Sequence, residues 1–182
     1  MSTSEKRGLL SLGPRAAEDG LVHVIVETPA GSRNKFKFDE ERGVFLLHKM
    51  LPIGAAFPFD FGFIPGTRAE DGDPLDVMVL GEEPTFTGCL LTVRILGTIE
   101  ATQKERDEVI RNDRLIGTVE TAKIRPTARS IDDLPAKVLD QIEHFFVAYN
   151  RFEGREFMPT RRGGPAAAEK RVDEAIREHG GR

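Results

Sequence analysis

The chain has 182 residues, 39% of them hydrophobic and 31% charged, and a net charge of −4 at pH 7. This length and composition predict one soluble globular domain with a substantial core. The acidic balance argues against a nucleic-acid partner, and no apolar run is long enough to span a membrane. The apolar patch at 9–12 is too short for a signal peptide, and the single cysteine, Cys89, cannot form an internal disulfide. We therefore expect a cytoplasmic protein.

The first two thirds of the chain predict a series of short strands. Residues 1–20 are mostly polar and predict a mobile arm, so that 21–182 form the single domain. Alternating β-branched residues predict a first strand at Leu21–Thr28, with Glu27 at its end. Further strands are predicted at 35–38, 44–48, 77–80, 89–99 and 115–119. The charged stretch EATQKERDEVIRNDR (100–114) is typical of a solvated loop.

The last third of the chain predicts two helices. Asp132-Asp133-Leu134-Pro135 is typical of a helix start. Apolar residues then recur at helical spacing: Val138, Leu139, Ile142, Phe145, Phe146 and Tyr149. Gly163-Gly164-Pro165 breaks the chain, 166–179 predicts a second helix, and the doublet Arg161-Arg162 is predicted to lie in a solvated loop. Many short strands followed by two helices favour a small barrel with the helices packed outside it.

The stretch FPFDFGFIPGTRAEDGDPLDVMVL (57–80) carries three carboxylates within six residues: Asp71, Asp73 and Asp76. Such charges repel one another by about 1 kcal/mol per pair at 4 Å in water, and by more where water is partly excluded. A fold that keeps them together usually binds a cation, and carboxylate oxygens suit Mg²⁺, Mn²⁺ or Ca²⁺. An EF-hand loop is excluded, because Leu75 and Asp76 stand at its fifth and sixth positions. A solvated acidic turn is the alternative.

The same stretch resembles the signature of the family I soluble inorganic pyrophosphatases, which depend on Mg²⁺. In that family an aromatic-Pro-x-x-aromatic-Gly-aromatic-Ile segment precedes Asp-Gly-Asp-Pro-hydrophobic-Asp. Here the two segments are 57–64 and 71–76. The resemblance implies a mainly β (α+β) fold, an OB-like five-stranded barrel with two C-terminal helices outside it and the active site at its mouth. It also implies a homohexamer.

The resemblance assigns a role to each matching residue. Asp73 takes a proton from a metal-bridging water, while Asp71, Asp73, Asp76 and Glu27 hold Mg²⁺, with Mn²⁺ as a possible substitute. A second family motif, an Asp-Glu pair followed by Asp-x-Lys, falls on Asp107, Glu108, Asn112 and Arg114 after an insertion of about four residues. It adds Asp107 and Asn112 to the metal ligands and leaves Glu108 less certain. The implied phosphate contacts are Lys35, Lys49, Arg114 and Tyr149.

The sequence departs from the family pattern at several of these positions. A family glutamate is Lys37, a charge reversal, and a metal-binding aspartate is Asn112. Two hydroxyl-bearing aromatic positions are Phe57 and Phe61, and further changes give Lys49, Arg114 and Asn150. A hydrogen bond to a charged group contributes about 1.5–3 kcal/mol, so each lost hydroxyl costs roughly ten- to a hundredfold in rate.

Two classes of function therefore remain open. The first is Mg²⁺-dependent hydrolysis of pyrophosphate, or of another phosphoanhydride if Phe57 and Phe61 make the mouth more apolar. The second is a catalytically weakened module that holds a phosphate ligand without turnover, through Lys35, Lys37, Lys49 and Arg114. Metal dependence separates the two. Nothing in the sequence favours a purely structural or interaction protein.

Overall fold

The computed structural model describes residues 9–18, 20–121, 123–124 and 126–181. Most of these residues lie in nine strands and two helices, with short 3-10 helices at Leu9–Ser11 and Ile131–Asp133. The strands are β1 (Leu21–Thr28), β2 (Asn34–Asp39), β3 (Val44–Met50), β4 (Asp60–Phe63), β5 (Asp76–Leu80), β6 (Leu90–Glu105), β7 (Glu108–Arg111), β8 (Arg114–Val119) and β9 (Glu156–Gly163). The helices are α1 (Ala136–Phe152) and α2 (Pro165–Gly180).

Five strands close into a barrel in the order β1-β4-β5-β8-β6, and β6 pairs again with β1. All neighbours are antiparallel except β5 and β8, which run parallel. The predicted five-stranded barrel is thus confirmed. β2 and β3 form a separate hairpin beside it.

β4 approaches β1 closely because Gly62 has no side chain. A Cβ atom at this position would lie 2.1 Å from the Ile25 carbonyl oxygen and 2.9 Å from the Val26 Cα. No larger residue fits without moving the β1 backbone. The glycine of the aromatic signature therefore sets the spacing between β4 and β1, the strand that carries Glu27.

β6 is longer than the sequence predicted, and it replaces much of the expected charged loop. Its second half leaves the barrel and pairs with β7 on one side and β9 on the other. Ala101 and Gln103 are buried there. The prediction of a strand ending at residue 99 was wrong, because the strands that satisfy its backbone beyond that point come from distant parts of the chain.

The two helices pack outside the barrel, as predicted, but β9 lies between them. α1 buries Leu139, Ile142 and Phe146 against an aromatic cluster, and α2 buries Ala168 and Val172 against the barrel core.

β9 was missed by the sequence analysis, and Arg161-Arg162 lies in it rather than in a solvated loop. Arg161 pairs with Glu100 at 2.6 Å, and Arg162 pairs with Glu143 at 2.7 Å. These ion pairs align β9 with β6 and α1.

The segment before β1 contacts the domain wherever the structure describes it. Leu9 and Leu12 pack against the cluster of Ile25 and Phe63, and Arg15 forms ion pairs of 2.6 Å with Glu169 and Asp173 on α2. Residues 1–8 and 19 of the predicted mobile arm lie outside the described residues. Within the described ranges, no helix is long and apolar enough to cross a membrane.

Candidate active site

A cleft at the mouth of the barrel brings together acidic and basic side chains from distant parts of the chain. It is lined by Glu27 at the end of β1, Lys35 and Lys37 on β2, and Asp73 and Asp76 at the start of β5. The barrel register places them together, since β4 pairs with both β1 and β5 and sets Phe63 opposite Asp76. The cleft is completed by Phe38, Glu40, Phe63 and Pro74.

The aspartate loop is held by its own backbone. The Asp73 carbonyl accepts a hydrogen bond from Ala69, and the Asp73 amide donates to Asp71 Oδ1 at 3.1 Å. Gly72 has a φ of +87°, so the turn favours glycine between the two aspartates. The turn places Asp71 and Asp73 side by side, with Asp76 following as the first residue of β5.

Two of the three aspartates are paired with cations from the chain itself. Lys37 Nζ lies 2.8 Å from Asp73 Oδ2, and the Arg114 guanidinium forms an ion pair with Asp76. In the described residues, no three acidic, histidine or cysteine side chains are gathered closely enough to hold a metal ion in this conformation.

The electrostatic environment of the carboxylates nevertheless favours the binding of a divalent cation. Burial raises the pKa of Glu27 to about 7. The Phe38 amide donates to Glu27 Oε1 at 2.8 Å and lowers this pKa, whereas the negative charge of Asp76 raises it further. Burial also raises the pKa of Asp71, and the charges of Asp76 and Asp73 contribute. Carboxylates that raise one another's pKa are stabilised in their charged form by a cation, and an all-oxygen set suits Mg²⁺ or Mn²⁺.

Of the predicted phosphate contacts, Lys35 lines the cleft, and Lys49 and Tyr149 lie next to it. Lys35 donates to the Tyr149 hydroxyl at 2.9 Å, and Lys49 pairs with Glu153 just beyond α1. Burial lowers the pKa of Lys35 and raises that of Tyr149. The structure therefore brings Lys35, Lys49 and Tyr149 together, with ammonium groups over the Tyr149 ring at 5.1 and 5.8 Å.

Phe57 and Phe61 do not line the mouth of the cleft. They are 1% and 3% exposed, and their ring centroids are 5.3 Å apart within the cluster that receives α1. Lys35 Nζ lies 5.7 Å from the centre of the Phe61 ring, so the ammonium group makes a cation–π contact with this ring. The expectation that the two phenylalanines make the mouth more apolar was wrong, because both rings are turned into the core.

The second predicted motif is divided by the structure. Asp107 and Glu108 are exposed in and beside the turn between β6 and β7, roughly 10 Å along the hairpin from Gln103. They are not among the residues that line the cleft. Asn112 is buried and donates from Nδ2 to Gln103 Oε1 at 2.8 Å. Arg114 does reach the cleft through Asp76.

Two residues at the site were missed from the sequence. Gln103 is the partner of Asn112, and continuing the alternation of β6 past residue 99 would have turned it inward. Glu153, the residue that directly follows α1, pairs with Lys49 and lies four residues after Tyr149. Asn150, which departs from the family pattern, is buried and donates to the Phe146 carbonyl at 2.8 Å rather than facing the cleft.

The five-stranded barrel with two helices outside it is a fold found in solved structures of inorganic pyrophosphatases. The inorganic pyrophosphatase family model matches residues 24–179. The inorganic pyrophosphatase of Geobacillus stearothermophilus is 37% identical over 161 residues, which cover 88% of this chain and 95% of that protein. The Synechocystis inorganic pyrophosphatase is 42% identical over 146 residues, covering 79% and 83%.

Solved structures agree with these sequence matches. The crystal structure of the Thermus thermophilus inorganic pyrophosphatase superposes with a TM-score of 0.83 at 31% identity, covering 93% of this chain and 97% of that one. The chain therefore belongs to the inorganic pyrophosphatase family.

Proposed function

We propose that the protein hydrolyses inorganic pyrophosphate to two phosphates in a Mg²⁺-dependent reaction, with Asp73 as the general base. The observation that carries the proposal is the cleft itself, where Glu27, Asp73 and Asp76 face Lys35 and Lys37. Family membership and the names of the relatives support the substrate. Mn²⁺ as a substitute metal, a cytoplasmic location and a homohexamer rest on resemblance and stay predictions.

The acidic wall would hold the metal. Glu27, Asp71, Asp73 and Asp76 supply carboxylate oxygens, and Mg²⁺ bound there would neutralise the substrate and lower the pKa of the attacking water. Asp107 is not included, because the β6–β7 turn keeps it away from the cleft. Asn112, bonded to Gln103, brings no charge to this wall.

Asp73 suits the role of proton acceptor. Its side chain is 57% exposed at the cleft, so water reaches it directly. Lys37 donates to Oδ2, while Oδ1 has no hydrogen-bond partner among the described residues and remains to accept a proton. A carboxylate beside a cation-acidified water serves as a base near neutral pH.

The basic wall would bind the phosphoryl oxygens. Lys35 and Tyr149 already share a hydrogen bond, Lys49 is oriented by Glu153, and Arg114 by Asp76. Charge-assisted hydrogen bonds from these groups would hold both ends of the substrate. In phosphoryl transfer such positioning and charge neutralisation provide most of the catalysis.

The test is phosphate release from pyrophosphate with Mg²⁺, with Mn²⁺ and with a chelator. We expect metal-dependent turnover that falls by at least a hundredfold in Asp73→Asn, since the base is lost. Asp132→Asn, an exposed acid at the 3-10 helix outside the cleft, should keep full activity. A folded protein that releases no phosphate with either metal would refute the proposed hydrolysis. If that protein still binds phosphate in chelator, the result would favour a module that binds phosphate without turnover.

A further inference from the structure

Lys37 places a positive charge among the carboxylates to which we assign metal binding. Its ammonium group lies 2.8 Å from Asp73 Oδ2. Glu27 and Asp76 line the same cleft as Lys37 and Asp73. The ammonium group of Lys37 is therefore bonded to one acid in a cleft that two further acids line.

The charge at position 37 matters because it lies beside the acids of the cleft. A glutamate at this position would contribute −1 where lysine contributes +1, so lysine makes the cleft two units more positive than glutamate would. Two units is the charge of one divalent ion. The ammonium bonded to Asp73 Oδ2 also uses a lone pair of that oxygen, which is then not free to bind an ion.

The buried base of the β6–β7 hairpin carries no acidic charge either. Asn112 is 7% exposed, and its Nδ2 donates to Oε1 of Gln103, which is 5% exposed. Both side chains are neutral amides, so neither offers a carboxylate to an ion.

The neighbouring acid, Asp113, does not supply a carboxylate to the cleft. Its Oδ1 accepts from the Ala101 amide at 3.1 Å. Its Oδ2 is paired with Arg111 at 2.6 Å and with Arg171 at 3.3 Å. Asp113 therefore serves the packing of α2 against the sheet rather than the cleft.

We propose that the Lys37 ammonium takes the place of one divalent ion in the cleft, so that this chain binds one ion fewer than it would with glutamate at position 37. The inference rests on the proposed function, since it assumes that the remaining acids hold metal. It assigns Lys37 to the acidic wall, as an internal counter-ion of Asp73, and not to the phosphate contacts.

The inference is tested by counting Mn²⁺ ions bound per chain by equilibrium dialysis, without substrate, at pH 7.5. Lys37→Glu should bind one more Mn²⁺ than the wild type. Lys37→Gln, which removes the ammonium, should bind Mn²⁺ at least threefold more tightly than the wild type. Lys137→Glu makes the same charge change at an exposed lysine on α1. It should alter neither the number of bound Mn²⁺ ions nor the affinity for Mn²⁺.

An unchanged number of ions in Lys37→Glu overturns the inference. So does a variant that loses phosphate affinity in chelator while its Mn²⁺ count stays that of the wild type, because Lys37 would then be a substrate contact. If Lys37→Glu does not fold, unchanged Mn²⁺ affinity in Lys37→Gln overturns it instead.

Turnover of pyrophosphate in the same preparations separates this failure from failure of the proposed function. If the wild type hydrolyses pyrophosphate but Lys37→Glu binds no additional Mn²⁺, the role of Lys37 as a counter-ion is refuted and the proposed function is not. A wild type that neither binds Mn²⁺ nor hydrolyses pyrophosphate refutes both.

Discussion

At the scale of single residues, the cleft is shaped by the energetic cost of burying charge. Glu27 is 8% exposed, and its pKa is raised from 4.5 to about 7. The carboxyl group is therefore protonated in the folded state over a pH range in which it is ionised in the unfolded chain. The Glu27 carboxyl group therefore makes the free energy of unfolding depend on pH.

We predict that, in chelator, the free energy of unfolding decreases as pH rises from about 5 through 7. Below pH 4.5 Glu27 is protonated in both the folded and the unfolded chain, so it does not change the free energy of unfolding. Above pH 7 Glu27 is ionised in both states, and the folded protein must then bury its charge. The loss by pH 8 should be on the order of 3 kcal/mol relative to Glu27→Gln, which cannot ionise. Urea unfolding at several pH values measures the difference.

The control for this prediction is Glu82→Gln, which removes an exposed carboxylate after β5. Its difference from the wild type should stay constant across the same pH range. If the Glu27→Gln difference is equally constant, burial does not raise the pKa of Glu27.

Sequence alone predicted a cluster of acids but not the side chains that pair with them. Asp71, Asp73 and Asp76 lie in one short motif whose turn residues are readable directly. The contact between Lys37 and Asp73 joins two residues 36 positions apart and depends on where the β2–β3 hairpin packs. The burial of Phe57 and Phe61 likewise depends on α1, which follows them by more than 70 residues.

At the scale of elements, the β6–β7 hairpin separates two parts of one predicted motif. Its base holds the buried pair Gln103 and Asn112, and its turn carries the exposed Asp107 and Glu108. Counting along the sequence, with an insertion of about four residues before Asp107, assigned the turn residues to the site. The pairing of β6 with β7, which sets Glu105 opposite Glu108, puts Asp107 and Glu108 at the turn of the hairpin instead of among the residues that line the cleft.

We therefore predict that Asp107→Asn combined with Glu108→Gln leaves both turnover and Mn²⁺ affinity within about twofold of the wild type. Asp71→Asn, a similar loss of charge inside the acidic wall, should weaken Mn²⁺ binding at least tenfold. Titration of both variants with Mn²⁺ measures the contrast. Equal losses in the two variants would bring the turn residues back into the site.

The elements that sequence predicted best have a local cause. β1 was predicted with its observed bounds, since alternating β-branched residues and the following proline define it. The second helix was predicted to within a residue at each end, since Gly164 and Pro165 fix its start. β9 and the second half of β6 were missed because each is stabilised mainly by the other, across 50 or more residues of chain.

At the scale of the whole molecule, barrel closure turns four separate acids into one electrostatic unit. Glu27 comes from β1, Asp76 from β5, and Asp71 and Asp73 from the loop before it. Folding brings these charges together, and only Lys37 and Arg114 are ion-paired with them among the described side chains. A divalent cation that binds the folded cleft and not the unfolded chain must therefore stabilise the entire domain.

We predict that Mn²⁺ at a hundred times its dissociation constant raises the free energy of unfolding by about 2.7 kcal/mol relative to chelator. For a domain of this size that corresponds to an increase of roughly 5–10 °C in melting temperature. Asp71→Asn should lose about half of this increase or more at the same Mn²⁺ concentration, because binding at least tenfold weaker leaves the ion at no more than about ten times its dissociation constant. Asp132→Asn should retain all of it.

Thermal unfolding followed by circular dichroism, with and without Mn²⁺, measures these shifts independently of catalysis. Lys37→Glu should show the largest metal-dependent increase, since it starts from the most acidic cleft and gains an ion-binding carboxylate. The same variant should melt below the wild type in chelator, where Asp73 has lost its ammonium partner and meets a further negative charge. If Lys37→Glu melts at the wild-type temperature both with and without metal, the ion pair between positions 37 and 73 contributes nothing to the electrostatics of the barrel mouth.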